Sequence, residues 1–289
     1  MLNPAGDTVV AGTFVGTAAF GGTTLVSAGG TDLFLARWNA ATTTWAWALR
    51  AGGPDNEGVS SLAVVGNALY VTGYFGMFSS GQPGQPAELG GTTLTPVGST
   101  DVYQAKYLDL GTAAAPAGAI ACGSPADEQP RGLVAANGAL YLTGYYTAGR
   151  PFTLVGTPLP AGQGLGFFLA KYLDTGAGLV GARATGGGGL NATDSCFPYA
   201  VAVAGQAVYL GGSLLGTYTV GGAPLSTPSD PTGTAHTIFL AKYLYQGGTV
   251  ADGWGRLDAD PATRPVIVGL AARGTSLYGV LVPVSSPLK

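Results

Sequence analysis

The sequence predicts an all-β protein: a β-propeller of four-stranded antiparallel blades, with four full repeats and a partial fifth that leaves the ring incomplete. Three observations carry this. A block of about 70 residues recurs four times along the chain of 289 residues. Each copy alternates short runs of β-branched and aromatic residues with Gly-rich turns, and no segment shows a helical apolar period. Charged residues make up 9%, against roughly 25% in an average soluble domain, too few to coat the outer faces of helices.

The same composition narrows the class of function. With 46% apolar residues and a formal charge of -3, the chain has the means to bury a core and is not of the disordered type. No run of Lys or Arg offers a track for a phosphate backbone, so nucleic acid is not an expected partner. Gly, Thr and polar residues interrupt every apolar run short of the roughly 18 residues of a membrane helix, so no membrane insertion is expected. The opening residues, MLNPAGDTVVAGTF, lack a charged n-region and an apolar h-region. They also read as the middle of a repeat, so the natural start is expected upstream.

The first anchor of the repeat is Leu69-Tyr70-Val71-Thr72-Gly73-Tyr74, which recurs as Leu140 to Tyr145 and as Val208 to Ser213, with Val9 to Thr13 a worn copy. Gly12, Gly73, Gly144 and Gly212 mark it. The second anchor is Phe20-Gly21-Gly22-Thr23-Thr24-Leu25, matched by Leu89 to Leu94, Val155 to Leu159 and Val220 to Leu225. Gly-Gly between β-formers predicts a tight hairpin. The third begins at Asp32, Asp101, Gly166 and Thr237, and its fixed Ala36, Ala105, Ala170 and Ala241 predict a strand pressed closely by a second layer. A fourth short strand follows, then a polar loop. A strand opening the next cycle keeps Leu62, Leu133, Val201 and Leu270 in register behind the small residues Ser61, Gly132, Ala200 and Gly269. Small residues fit where innermost strands crowd an axis.

The boundaries fall near 8–71, 72–142, 143–210 and 211–280 of a single propeller-like domain spanning 1–289, with 281–289 an extension. A linear β-solenoid is the rival, but its coils are shorter and lack consecutive hairpins. Thr275 to Leu281 occupies the same repeat position as Asp7 to Thr13. Either the ring closes with an overlapping strand, or Val266 to Lys289 opens a fifth blade; the second is the expectation.

The succession LYVTGYF, FGGTTL, DVYQAKYL and a Gly-rich acidic loop resembles the bacterial SBBP-type β-propeller repeat, over nearly the whole chain. The resemblance implies a propeller in a long exported or cell-surface protein and does not imply enzymatic activity. A signal peptide would then lie upstream of this chain.

Candidate chemistry is sparse. Catalytic triads and common zinc sites use histidine, and His236 stands alone before a strand, where it reads as a loop residue. Neither a Gly-x-Ser-x-Gly elbow nor a phosphate-binding loop is present. The acidic loops carry Asp55 and Glu57, Asp127 and Glu128, Asp194, and Asp258 and Asp260. Such carboxylates can hold calcium or form an acid/base pair, and equally they cap tight turns. Arg37, Lys106, Lys171 and Lys242 share one position, expected to be scaffold whose heads reach water or a neighbouring acid. Cys122 and Cys196 fall near equivalent places, which leaves two readings open, a disulfide between neighbouring blades or two free thiols.

Four positions vary in chemistry while their surroundings repeat: Ser60, Arg131, Tyr199 and Val268. Together with Trp45 and Trp47 they are the candidate ligand contacts, since function on a repeated frame resides where the frame is not copied. The expected function is a non-enzymatic extracellular or cell-surface module that binds protein or glycan or acts as a spacer. The alternative is a propeller-class polysaccharide hydrolase or lyase using paired loop carboxylates. No cofactor is called for, with calcium as a structural staple the one candidate.

Overall fold

The computed structural model describes residues 1–77, 84–227, 236–246, 249–258, 265–273 and 276–283. Among them every regular element is a strand, so the protein is all-β. The first repeat comprises β1 (Thr8–Phe14), the hairpin β2 (Thr17–Phe20) and β3 (Thr23–Val26), then β4 (Asp32–Asn39) and β5 (Thr44–Ala51). The second comprises β6 (Asn56–Val65), β7 (Ala68–Met77), β8 (Ala87–Leu89), β9 (Thr92–Leu94), β10 (Asp101–Asp109) and β11 (Ala114–Cys122). The third comprises β12 (Glu128–Ala136), β13 (Ala139–Thr147), β14 (Thr153–Leu154), β15 (Thr157–Pro158), β16 (Gln163–Asp174) and β17 (Leu179–Gly189). The fourth comprises β18 (Ser195–Ala204), β19 (Ala207–Leu215), β20 (Thr217–Val220), β21 (Ala223–Ser226), β22 (Thr237–Gln246) and β23 (Thr249–Asp258). Finally β24 (Pro265–Arg273) and β25 (Ser276–Pro283) pair with each other, the first two strands of a further repeat.

One sheet pattern recurs. The second repeat orders its long strands β6-β7-β10-β11, the fourth β18-β19-β22-β23, and the third runs β12-β13-β16 with β17 on β16. The first repeat has the last three positions, β1-β4-β5. Each short hairpin is inserted between the second and third long strands. A single parallel bridge, Leu165 to Ser195, joins the third sheet to the fourth. The chain divides into two compact units, Met1–Pro130 with Leu173–Val180, and Arg131–Tyr172 with Gly181–Lys289. Within the first, β6 packs on β1 and β4; within the second, β18 packs on β13 and β24 packs on β18 and β19.

The anchors are packing devices. Alternate residues of β4, β7 and β10 (Leu33, Leu35, Leu69, Val71, Tyr103, Ala105) form the core of the first unit, and Phe167, Leu169, Val208, Leu210, Phe239 and Ala241 that of the second. Ala36, Ala105, Ala170 and Ala241 are all fully buried. The Gly-Gly hairpins have left-handed φ at both turn residues in Gly90-Gly91 and Gly221-Gly222, and Val155-Gly156 adopts the same geometry. That mirror-image turn matches the twist of the flanking strands. It also explains why the second and third anchors travel together: the Gly90 and Gly221 amides donate to the hydroxyls of Tyr107 and Tyr243, each at 2.9 Å.

A β-bulge sits in the first strand of the sheets, opposite the marker residue. Val59 pairs with Gly73 and Ser61 with Thr72, so Ser60 is the extra residue. Tyr199 is passed over in the same way between Pro198 and Ala200, and Val268 between Ile267 and Gly269. A Cβ at Gly73 would overlap the Gly58 carbonyl oxygen, and one at Gly212 would overlap that of Phe197. Gly73 and Gly212 are therefore required by close approach of the bulged strand.

Candidate functional site

The bulge accounts for the variation at Ser60, Tyr199 and Val268. A residue skipped by the ladder has no cross-strand partner to match, so its side chain is free to differ from copy to copy. Ser60 is half-buried and Val268 is exposed, whereas Tyr199 and Arg131, which holds the same place in the third repeat, come together. The Arg131 guanidinium carbon lies 5.2 Å from the ring centre of Tyr145 and 5.8 Å from that of Tyr199. Phe197 meets Tyr145 edge-on at 5.2 Å and stacks with Tyr199 at 6.2 Å, and the His236 ring is 5.6 Å from Phe197. At the end of this row Ser195 Oγ and His236 Nε2 are 2.8 Å apart. Arg131, Tyr145, Phe197, Tyr199 and His236 are all half-buried. The small residue beside the bulge makes the approach feasible, because a Cβ on Gly132 would already touch the Tyr199 backbone at 3.0 Å.

Arg131 forms no ion pair with a carboxylate of the described residues, and its Nε is buried without a hydrogen-bond partner. An unmatched buried donor is costly unless something meets it. Sequence reasoning singled out Arg131 and Tyr199 but missed Tyr145, Phe197 and His236. Tyr145 lies in the first anchor, and Phe197 lies two residues before Tyr199. His236 had no sequence signal for its bond to Ser195, which is far away along the chain. Trp47 is buried and donates to Asp109 at 3.1 Å, and Trp45 packs edge-on against Phe20 and Trp38; both belong to packing. A separate groove of about 370 Å³ in the second unit is walled by Gly186, Gly187 and Gly188 and bordered by Tyr218 and Asp252.

The acidic loops tie strands together. Glu57 accepts from the Gly53 amide at 2.8 Å and lies beside Asp32, and both side chains are fully buried. Asp55 accepts from the Gln85 amide. In the next repeat Glu128 takes the Ser124 amide at 2.9 Å, as well as the Ser124 hydroxyl, and Asp127 receives the Ser99 hydroxyl. Asp194 accepts from the amides of Leu190 and Asn191, at 2.9 and 3.1 Å. Among the described residues no three His, Cys, Asp or Glu gather as a metal-holding group. Asp260 and the side chain of Asp258 lie outside the described residues.

Burial, partly offset by the Gly53 amide and reinforced by Asp32 and Asp55, raises the Glu57 carboxyl to about 8. Burial likewise raises Glu128 to about 7 and Asp101 to about 6. A carboxyl with a raised folded-state pKa contributes stability that is complete below its ordinary value, 4.5 for Glu57, and lost as pH rises through the folded value. Asp109 and Asp174 run the other way. Against the upward push of burial, amide and side-chain donors including Arg37 for Asp109 and Lys106 for Asp174 hold them low, so their contribution disappears in acid. The melting temperature is expected to peak near about pH 5 and decline toward about pH 8. Glu57→Gln should flatten the upper part of that decline in thermal scans across pH; an unchanged profile would count against a buried neutral Glu57.

Arg37, Lys106 and Lys171 each reach a residue of the next repeat, whereas Lys242 stays over Tyr209 of its own. Arg37 binds Asp7 and Asp109, the latter at 2.9 Å, and Lys106 binds Asp174 at 2.8 Å while the Tyr70 hydroxyl donates to the same carboxylate. Asp109 and Asp174 each stand three residues after the aligned cation of their own repeat. Tyr245 stands at that place in the fourth repeat, and Lys171 Nζ lies 5.5 Å from its ring centre. Lys242 lies over Tyr209 at 6.0 Å. Neither Cys196, which is fully buried, nor Cys122, which is half-buried, takes part in a disulfide.

A scan of the chain against models of known protein families found no match, and a search of curated proteins also found none. Among the described residues no helix is long and apolar enough to cross a membrane.

Proposed function

We propose that this chain is a non-enzymatic β-propeller module of the exported or cell-surface kind, which displays its bulge residues to a glycan or protein. The repeated four-stranded sheets support the propeller reading, as does the packing of first strands on the preceding sheet within each unit. The extracellular placement rests on the resemblance of the repeats. The observation that carries the binding reading is the Arg131 cluster, where Tyr199, skipped by the ladder, and Arg131, at the equivalent repeat position, meet half-buried aromatic rings around a guanidinium with no carboxylate partner among the described residues. Aromatic rings beside Arg are the residues that dominate binding hot spots. Of the loop carboxylates available to a hydrolase or lyase, Asp55, Glu57, Glu128 and Asp194 are buried and accept backbone amides, which favours the binding reading.

The test is to screen the full chain against arrays of glycans and extracellular proteins beside the variants Arg131→Gln and Tyr199→Ala. Ligands retained by the wild type are expected to be lost by both variants, with unfolding temperatures little changed. Retention that ignores both substitutions, or no retention at all, would refute the assignment.

A further inference from the structure

Resting on the binding reading above, we infer that the Arg131 cluster takes a uronic acid residue of an acidic polysaccharide, its carboxylate on Arg131 and its ring on the aromatic row. In the first unit, Arg37, Arg50 and Lys106 each meet a carboxylate of this chain. Arg131 meets two tyrosine rings instead. That arrangement keeps the guanidinium partly dehydrated and leaves its charge to an incoming anion, and the planar fork suits a carboxylate bound by two parallel hydrogen bonds.

The rings add the second half of the recognition. Phe197 lies 25° from the plane of Tyr199 and 36° from that of His236, so three half-buried rings form one row, with Tyr145 closing it edge-on. Such a row offers apolar aromatic surface to the C–H face of a pyranose. A hexuronic acid brings a flat C–H face and a carboxylate on one ring. An Asp or Glu side chain of a peptide brings the anion without the face. The chain's net charge of -3 gives no general attraction for polyanions, so capture of one depends on this local pairing.

The experiment is calorimetric titration of the full chain with tetragalacturonate and with the same oligosaccharide after reduction of its carboxyl groups. The acidic form should bind, and the reduced form at least about 30-fold more weakly. Arg131→Gln should remove the preference, Arg131→Lys should restore part of it, and Tyr199→Ala should weaken binding by about 10-fold, each with an unfolding temperature near that of the wild type. Equal affinity for the two oligosaccharides, or acidic binding that survives Arg131→Gln, would overturn the inference. Failure of the uronate to bind, with Arg131-dependent retention of a sulfated glycan or a protein on the arrays, would overturn this ligand class and leave the binding reading standing. Failure of both would remove the two together.

Discussion

Gly73→Ala is expected to abolish the cooperative unfolding transition of the first unit or lower its midpoint by more than about 10 °C, a cost above about 4 kcal/mol. Its backbone φ is not in the left-handed region, so conformational freedom is not the reason. The added methyl would occupy the space of the Gly58 carbonyl oxygen, and it would come within 2.8 Å of the Tyr103 hydroxyl. That carbonyl is held in place, accepting a hydrogen bond from Tyr103 at 3.1 Å, so the clash cannot relax by swinging a flexible side chain aside. Moving the bulged strand would pull β6 off β7 and disturb its packing on β1 and β4. Gly66→Ala is the control. Its φ is +59° and nothing lies near its missing Cβ, so the cost there is the left-handed backbone penalty alone, about 1 kcal/mol. Circular dichroism during thermal unfolding checks both; similar midpoints for the two variants would refute the close-approach account.

Lys106→Met is expected to cost about 3 kcal/mol and lower the melting temperature by roughly 6–12 °C. The ammonium side chain is 5% exposed and its partner Asp174 19% exposed, so the pair is shielded from the screening that makes surface ion pairs weak. Removing the cation leaves the half-buried Asp174 carboxylate with the Tyr70 hydroxyl and the Gly176 amide, poor compensation for the lost charge partner. The double variant Lys106→Met with Asp174→Leu removes the stranded charge and should recover most of the loss. A single variant that melts with the wild type, or a double variant that melts with the single, would refute the clamp as an energetic element.

Much of the frame was legible because it is periodic. The glycine-bearing turns, the closely packed Ala positions and the marker glycines recur in the same order in every repeat, and each repeat corroborates the others. The bulge was not legible, because register belongs to a pair of strands and leaves no composition signal on either one. Its trace was visible as the variation at Ser60, Arg131, Tyr199 and Val268, though the cause was not. The clamps were half legible. Aligned cations stand out in the sequence, and Asp109 and Asp174 follow them at a fixed interval, but nothing in one dimension says that the cation of one repeat reaches the acid of the next. The Ser195–His236 bond lay beyond reach for the same reason, since it joins residues with no shared place in the repeat.

The bulge has a consequence for how such a chain changes over time. Elsewhere in these sheets a substitution must satisfy a facing residue, and selection for folding and selection for recognition act on the same atoms. At the skipped position the two are uncoupled. A repeat array built this way carries one addressable residue per unit, so new specificities can be written by changing single letters while the scaffold that displays them stays as it is.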